Sequence, residues 1–162
     1  MIEVKDLNTI YNQCETDGII KFKEDVDTEL IKSLKNMAEK GLSFIKERSK
    51  DIKKESIDWT FVFRDYYEAL RGLIEAFLLF DKVDSDNHQC NNAYLCFKHL
   101  ELELDWNFLE TARLKRNGVN YKGELLKYED WNNFKLNFDL HINKLKKEIE
   151  DKLKDIKKDS SK

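Results

Sequence analysis

Apolar residues along the chain recur at steps of three and four, the spacing of amphipathic helices. Val4, Leu7, Ile10, Tyr11 and Cys14 predict a short helix over residues 4–15, broken by Asp17-Gly18. Ile19-Ile20-Lys21-Phe22 fits a helix or an extended segment. A second helix begins after Asp27, an N-cap type of residue, and reaches about Lys53. Its stripe of Leu30, Leu34, Met37, Gly41, Ile45, Arg48 and Ile52 is of coiled-coil type, with Gly41 allowing close helix approach. A third helix spans about 57–80. Its apolar residues, from Trp59 to Leu79, cover most of the circumference, which predicts a central, buried helix. One polar stripe remains on it: Arg64, Glu68, Arg71 and Glu75. It reads either as an intrahelical ion-pair ladder or as the wall of a functional cleft.

Asp84, Ser85 and Asp86 offer caps for a fourth helix over about 87–103, with Ala93, Cys96, Phe97 and Leu100 inward. Asp105 caps a fifth, which runs to Asn117 with Gly118 as its C′ residue and a further turn at Lys122-Gly123. The last helix runs from about Tyr128 to Ile156, with Phe134, Phe138, Ile142, Leu145, Ile149 and Leu153 on one face. The expected fold is all-α: a single up-and-down bundle of five to six helices. Residues 1–25 form an N-terminal helix and connector, 26–156 the bundle, and 157–162 a frayed polar tail.

Composition agrees. The 162 residues include no proline and only five glycines, which argues against an all-β fold. Charged residues make up 38%, yet the net charge is only −3, a mixed helical surface and not a basic nucleic-acid coat. The start MIEVKD lacks the features of a signal peptide, and the longest apolar run, Ala76 to Phe80, is far below the ~20 residues that span a bilayer. Cys14, Cys90 and Cys96 are odd in number and lack CxxC spacing, so free thiols and a cytoplasmic location are expected, with no membrane partner.

Little of the chemistry is conventional. His88, Cys96 and His99 align too poorly on one helix for a zinc site, which wants four convergent ligands. Glycine-rich phosphate loops and a GxSxG elbow are absent. Neither a metal nor a cofactor is expected. The candidate site is the run from Arg113 to Gly123, which holds two of only five arginines. Arg113 and Arg116 suit bidentate grip of a phosphate or carboxylate. Asn117 and Asn120 can hydrogen-bond a nucleotide, and Tyr121 offers a stacking face and a hydroxyl. Structural capping of the helix end explains the same residues without a ligand.

Across residues 26–156 the pattern resembles the HEPN family of helical bundles. The residues that carry the likeness are Ile57-Asp58-Trp59, Tyr66-Tyr67-Glu68-Ala69-Leu70-Arg71, Glu75-Ala76, a capped His88 and Arg116-Asn117-x-x-x-Tyr121. The last segment lies where the family carries an arginine followed four to six residues later by histidine. Here Arg116 fills the arginine position and Tyr121 the histidine position. The resemblance implies a metal-independent ribonuclease scaffold working as a homodimer, with RNA or a nucleotide at the seam. A small nucleotidyltransferase antitoxin is an implied partner. Tyrosine titrates near 10 and is a poor base, so the expectation is an RNA- or nucleotide-binding protein with weakened or absent ribonuclease activity. An active, toxin-like ribonuclease centred on Arg116 and Tyr121, and a non-catalytic adaptor or dimerisation module, are the alternatives.

Overall fold

The structure is a computed structural model and describes residues 2–162. It is an all-α bundle of six helices: α1 (Leu7–Thr16), α2 (Thr28–Ser49), α3 (Trp59–Leu78), α4 (His88–Lys98), α5 (Trp106–Lys122) and α6 (Tyr128–Ser160). Two short strands, β1 (Lys21–Phe22) and β2 (Val83–Asp84), pair antiparallel beside it, so the end of the ambiguous segment is extended. No helix among the described residues is long and apolar enough to cross a membrane.

α3 is the axis. Thirteen of its twenty residues are buried, more than a single stripe supplies, and it packs against α2, α4, α5 and α6. The interface with α5 and α6 is an aromatic cluster: Phe63 meets Phe134 edge-on at 5.0 Å, Tyr66 lies on Trp131 at 4.5 Å, and Phe108 meets Phe138 at 5.3 Å. Phe138, Ile142, Leu145 and Ile149 of α6 are buried as their spacing predicts. That helix continues to Ser160, so most of the expected frayed tail is helical, although its side chains are exposed.

Side-chain caps set most helix starts. Asp27 accepts from Leu30 N–H at 2.9 Å and Asp105 from Phe108 N–H at 3.1 Å, as expected. The fourth helix is capped by Asn87, which accepts from Cys90 N–H at 2.9 Å, and not by Asp84, Ser85 or Asp86. It ends at Lys98, well before residue 103, because the chain turns at His99 into a short 3₁₀ segment; Leu100 is exposed there. The fifth helix passes through Gly118 and stops at Gly123, whose φ of +65° is the left-handed stop conformation. Glu124 N–H closes onto the Gly118 carbonyl at 3.2 Å.

α2 ends at Ser49 and turns inward a face shifted from the expected stripe. Ile31, Ala38, Leu42 and Ile45 are buried, whereas Met37 is 69% exposed and Gly41 faces open space. Ile45 of the expected stripe is buried and Leu30 and Leu34 pack at the edge of the core, so the inward face is shifted from that stripe and not opposite to it.

The cysteine expectation is overturned. α1 and α4 lie side by side, which brings the Cα atoms of Cys14 and Cys90 to 5.8 Å, and the two form a disulfide. Tyr11 stacks on Phe97 at 3.9 Å across the same contact. Cys96 is the free thiol, buried in the core, and burial pushes it up to about 12.

Two histidines hold elements together. His141 accepts from Asp105 N–H at 3.0 Å through Nε2 and donates to the Asn137 carbonyl through Nδ1, tying α6 to the start of α5. Burial keeps it neutral by lowering its pKa. His99 sits between two carboxylates, with Nε2 2.5 Å from Asp81 and Nδ1 2.7 Å from Glu101. The Asp81 hydrogen bond is the main force raising the imidazole above its ordinary 6.5, against the effect of burial. The same bond draws the Asp81 carboxyl below its usual value despite burial. The imidazolium is thus more stable folded than unfolded, and its contribution is full below pH 6.5 and lost as pH rises through the raised value. Urea unfolding is expected to show stability falling as pH rises above 6.5, where the lowered His88 and His141 no longer contribute a slope, and His99→Gln to flatten that fall. An unchanged slope in the variant would assign the dependence elsewhere.

Candidate functional site

The polar stripe of α3 and the arginines of α5 meet. Three and four residues apart on one helix, Glu68, Arg71 and Glu75 share a face. Arg71 Nε donates to Glu75 at 2.9 Å and its Nη1 to Glu68 Oε2 at 3.3 Å. The other oxygen of Glu68 accepts from Arg116 twice, from Nε at 2.9 Å and Nη2 at 2.6 Å. Glu68 is therefore held between two guanidinium groups from different helices. The Arg116 guanidinium also lies 5.5 Å from the centre of the Tyr67 ring, a cation–π contact that fixes its plane.

Arg64 does not join them. It pairs with Asp65 at 3.0 Å and lies over Phe61, nearer the start of α3. Arg113 is one turn before Arg116 but grips Glu110, with Nε and Nη2 at 2.9 and 2.6 Å from the two oxygens. Gln89 Nε2 donates to the same carboxylate at 2.5 Å.

His88, the first residue of α4, faces this cluster. Burial chiefly, then the charges of Arg71 and Arg116, push it down to about 4, with Glu68 opposing. At neutral pH it is an uncharged imidazole beside two guanidinium groups. Tyr121 is elsewhere: five residues after Arg116, it lies about 140° around the helix, and it is 77% exposed. Asn120 is exposed and Asn117 half-buried. The structure thus brings together Glu68, Arg71, Glu75 and Arg116 and leaves Arg64 and Tyr121 outside.

Sequence reasoning missed His88, Tyr67, Gln89 and Glu110 as members of this region. Gln89 and Glu110 are 21 residues apart, and the contact follows from the packing of α4 on α5. The lone signal was the capped position of His88, which puts a histidine at a helix start facing inward.

Beside the cluster a groove of about 410 Å³ runs between α2 and α3. Glu68, Arg71 and Glu75 form its polar wall, and Met37, Gly41 and Phe44 its apolar one. No group of three or more His, Cys, Asp or Glu side chains suited to a metal ion occurs among the described residues. No family model matches the chain, and neither a curated protein nor a solved structure does. Fold and site define a class, an all-α bundle with a cross-helix Arg–Glu–Arg cluster beside a neutral histidine.

Proposed function

We propose that this bundle is a HEPN-like protein that binds RNA or a nucleotide phosphate at the Arg71–Arg116 cluster, with weak or absent ribonuclease activity. The observation that carries the reading is the sharing of Glu68 by Arg71 and Arg116. A phosphate is tetrahedral but, like a carboxylate, presents two oxygens to a guanidinium fork, so it can take the place of Glu68 between the two guanidinium groups. Glu68 is partly exposed, so water can solvate its carboxylate when a phosphate displaces it. His88 is the histidine whose titration responds to the charges of this cluster. A histidine depressed to about 4 is a weak base and carries no proton to give a leaving group at neutral pH. That supports binding over turnover.

The test is fluorescence anisotropy with a labelled single-stranded RNA in EDTA. Arg116→Gln is expected to weaken binding roughly tenfold or more, the worth of a charge-assisted hydrogen bond. Glu68→Gln, which removes the competing carboxylate charge, is expected to tighten it. Wild-type affinity in folded Arg116→Gln would overturn the reading.

A dimerisation role is the second reading, and the exposed apolar residues Met37 and Phe44 favour it. It fits a homodimer seated on the α2 face, next to the phosphate site. Sedimentation of Phe44→Glu against wild type distinguishes a pure dimerisation module, which loses self-association and never binds RNA. A nucleotidyltransferase partner and a cytoplasmic location remain part of the HEPN proposal, and the location rests on that resemblance alone, because the Cys14–Cys90 disulfide removes the free-thiol argument.

A further inference from the structure

Charge sets the seam between α2 and α6. Lys35 Nζ lies 2.8 Å from Glu39 on its own helix and 3.4 Å from Glu150 across the seam, and Lys146 Nζ lies 4.0 Å from Glu39. The two crossing pairs, Lys35 with Glu150 and Glu39 with Lys146, fix the helices as antiparallel neighbours. Two turns further along, the same register sets Thr28 opposite Lys157 and Lys32 opposite the turn that carries Lys154. There the alternation of sign stops. A groove of about 480 Å³ opens between the helix ends, lined by Lys32, Lys154 and Lys157 and, unlike the groove beside Arg71, by no carboxylate.

Earlier lysines of α6 meet an acid one turn on: Lys135 with Asp139, Lys144 with Glu148 and Lys147 with Asp151, at 2.9, 3.3 and 3.1 Å. Lys154 has Lys158 at that position, and Lys157 has Ser161. Glu150, one turn before Lys154, is engaged by Lys35. Lys154 and Lys157 are thus without an ion-pair partner among the described residues. Lys32 bonds Glu29 of its own helix at 2.9 Å, an exposed pair of small worth. Like charges gathered at a helix seam repel, and an anion between them turns that repulsion into attraction. The kind of cation says which anion. All three are lysines, compact point charges on flexible stems, which suit a phosphate; a planar carboxylate is better matched by the guanidinium fork. Lys154 and Lys157 are neighbours on one face of α6, and Lys32 approaches from the other helix. Positive charge at three places on two helices matches several linked phosphates better than one. Glu29, Asp155 and Asp159 stand outside the groove and confine the ligand to a short one.

We propose that this groove binds a condensed phosphate, a chain of two or three phosphoryl groups either free or carried by a nucleotide, held by Lys154 and Lys157 from one side and by Lys32 from the other. The site is separate from the Arg71–Arg116 cluster, because neither arginine lines the groove and none of its lysines belongs to that cluster.

The experiment is titration calorimetry of the full chain, in metal-free buffer at moderate salt, with sodium tripolyphosphate, ATP, orthophosphate and citrate. Tripolyphosphate is expected to bind, and orthophosphate and the trivalent carboxylate citrate to bind at least tenfold more weakly. Lys154→Gln with Lys157→Gln is expected to weaken tripolyphosphate binding about fivefold per charge removed, the size of one contact charge pair in water. Both side chains are exposed, so the double variant keeps the fold. Lys147→Gln, on the same helix but outside the groove, and Arg116→Gln are each expected to leave the affinity within twofold. The two sources separate by affinity: equal binding of ATP and tripolyphosphate places recognition in the phosphates alone, and ATP tighter by tenfold or more assigns a nucleotide; either result upholds the site. Three results would overturn the proposal: no binding of tripolyphosphate, equal binding of citrate, or wild-type affinity in the double lysine variant. If that affinity is lost instead in Arg116→Gln, the phosphate sits at the other cluster, and the reading of that cluster stands while this one falls.

Discussion

Arg113→Met is expected to destabilise the protein by about 3–5 kcal/mol, the cost of stranding a buried charge. The reason lies in Glu110, which is 1% exposed. Both of its oxygens face Arg113, and Gln89 supplies the remaining donor. Without the guanidinium, a carboxylate stays in the contact between α4 and α5 with one neutral hydrogen bond. In a chain of this length each kcal/mol moves the melting temperature by about 2–4 °C, so a fall of roughly 10 °C or more follows. Replacing both partners with apolar residues, Arg113→Met with Glu110→Leu, is expected to recover most of the loss, because it removes the buried charge. Thermal melts of the wild type, the single and the double variant check this. A single variant melting within a degree or two of wild type would show that water reaches Glu110. The double variant also separates two roles for Arg113. If it is stable and still binds RNA, Arg113 holds the helices; if it is stable and RNA binding is lost, Arg113 serves the ligand as well.

The contrast between Arg113 and Arg116 illustrates how far a sequence carries. Both arginines stand out by rarity, and helical spacing puts them on neighbouring turns of one face. What each one grips depends on which helix crosses that turn. Arg113 pairs within its own helix, with Glu110, whose carboxylate Gln89 of α4 also bonds, whereas Arg116 reaches α3, 48 positions away in sequence. Periodicity does locate the six helices, because apolar steps of three and four are strong on α3 and α6. On α2 it is only partly right: Leu30, Leu34 and Ile45 of the expected stripe pack against the core, but Met37 and Gly41 face out while Ile31, Ala38 and Leu42 are buried. Only the shape of α3 decides between the two sets. Stop signals are ambiguous in the same way. Gly118 and Gly123 both suit a helix end, and the one that adopts positive φ is the one whose following residue can close back on the last turn. The fold class and the polar wall of α3 were therefore legible, while the place of His88 and the exclusion of Tyr121 were not.

Cysteine pairing was the least legible feature and has the other large consequence. Cys14 and Cys90 enclose 76 positions of chain, including all of α2 and α3. A cross-link closing a loop of that size removes enough freedom from the unfolded chain to stabilise the fold by about 4 kcal/mol in the chain-entropy account. Reduction, or Cys14→Ser, is expected to lower the melting temperature by roughly 10–15 °C. The contacts across α1 and α4, such as Tyr11 on Phe97, remain to hold the helices together once the bond is cut. Tying of the N-terminal segment by Trp106 Nε1–H, which donates to the Lys5 carbonyl at 2.8 Å, also survives. The reduced protein is therefore expected to keep its helical circular dichroism at room temperature and to unfold earlier on heating. Cys96 provides the control: buried and with its thiol pushed up to about 12, it is expected to resist alkylation until the protein unfolds. Mass spectrometry of the alkylated, denatured protein, with and without prior reduction, counts the thiols. One modified cysteine before reduction and three after it is the expected pattern; three in both samples, with identical melts, would mean that the two sulfurs lie adjacent without a bond.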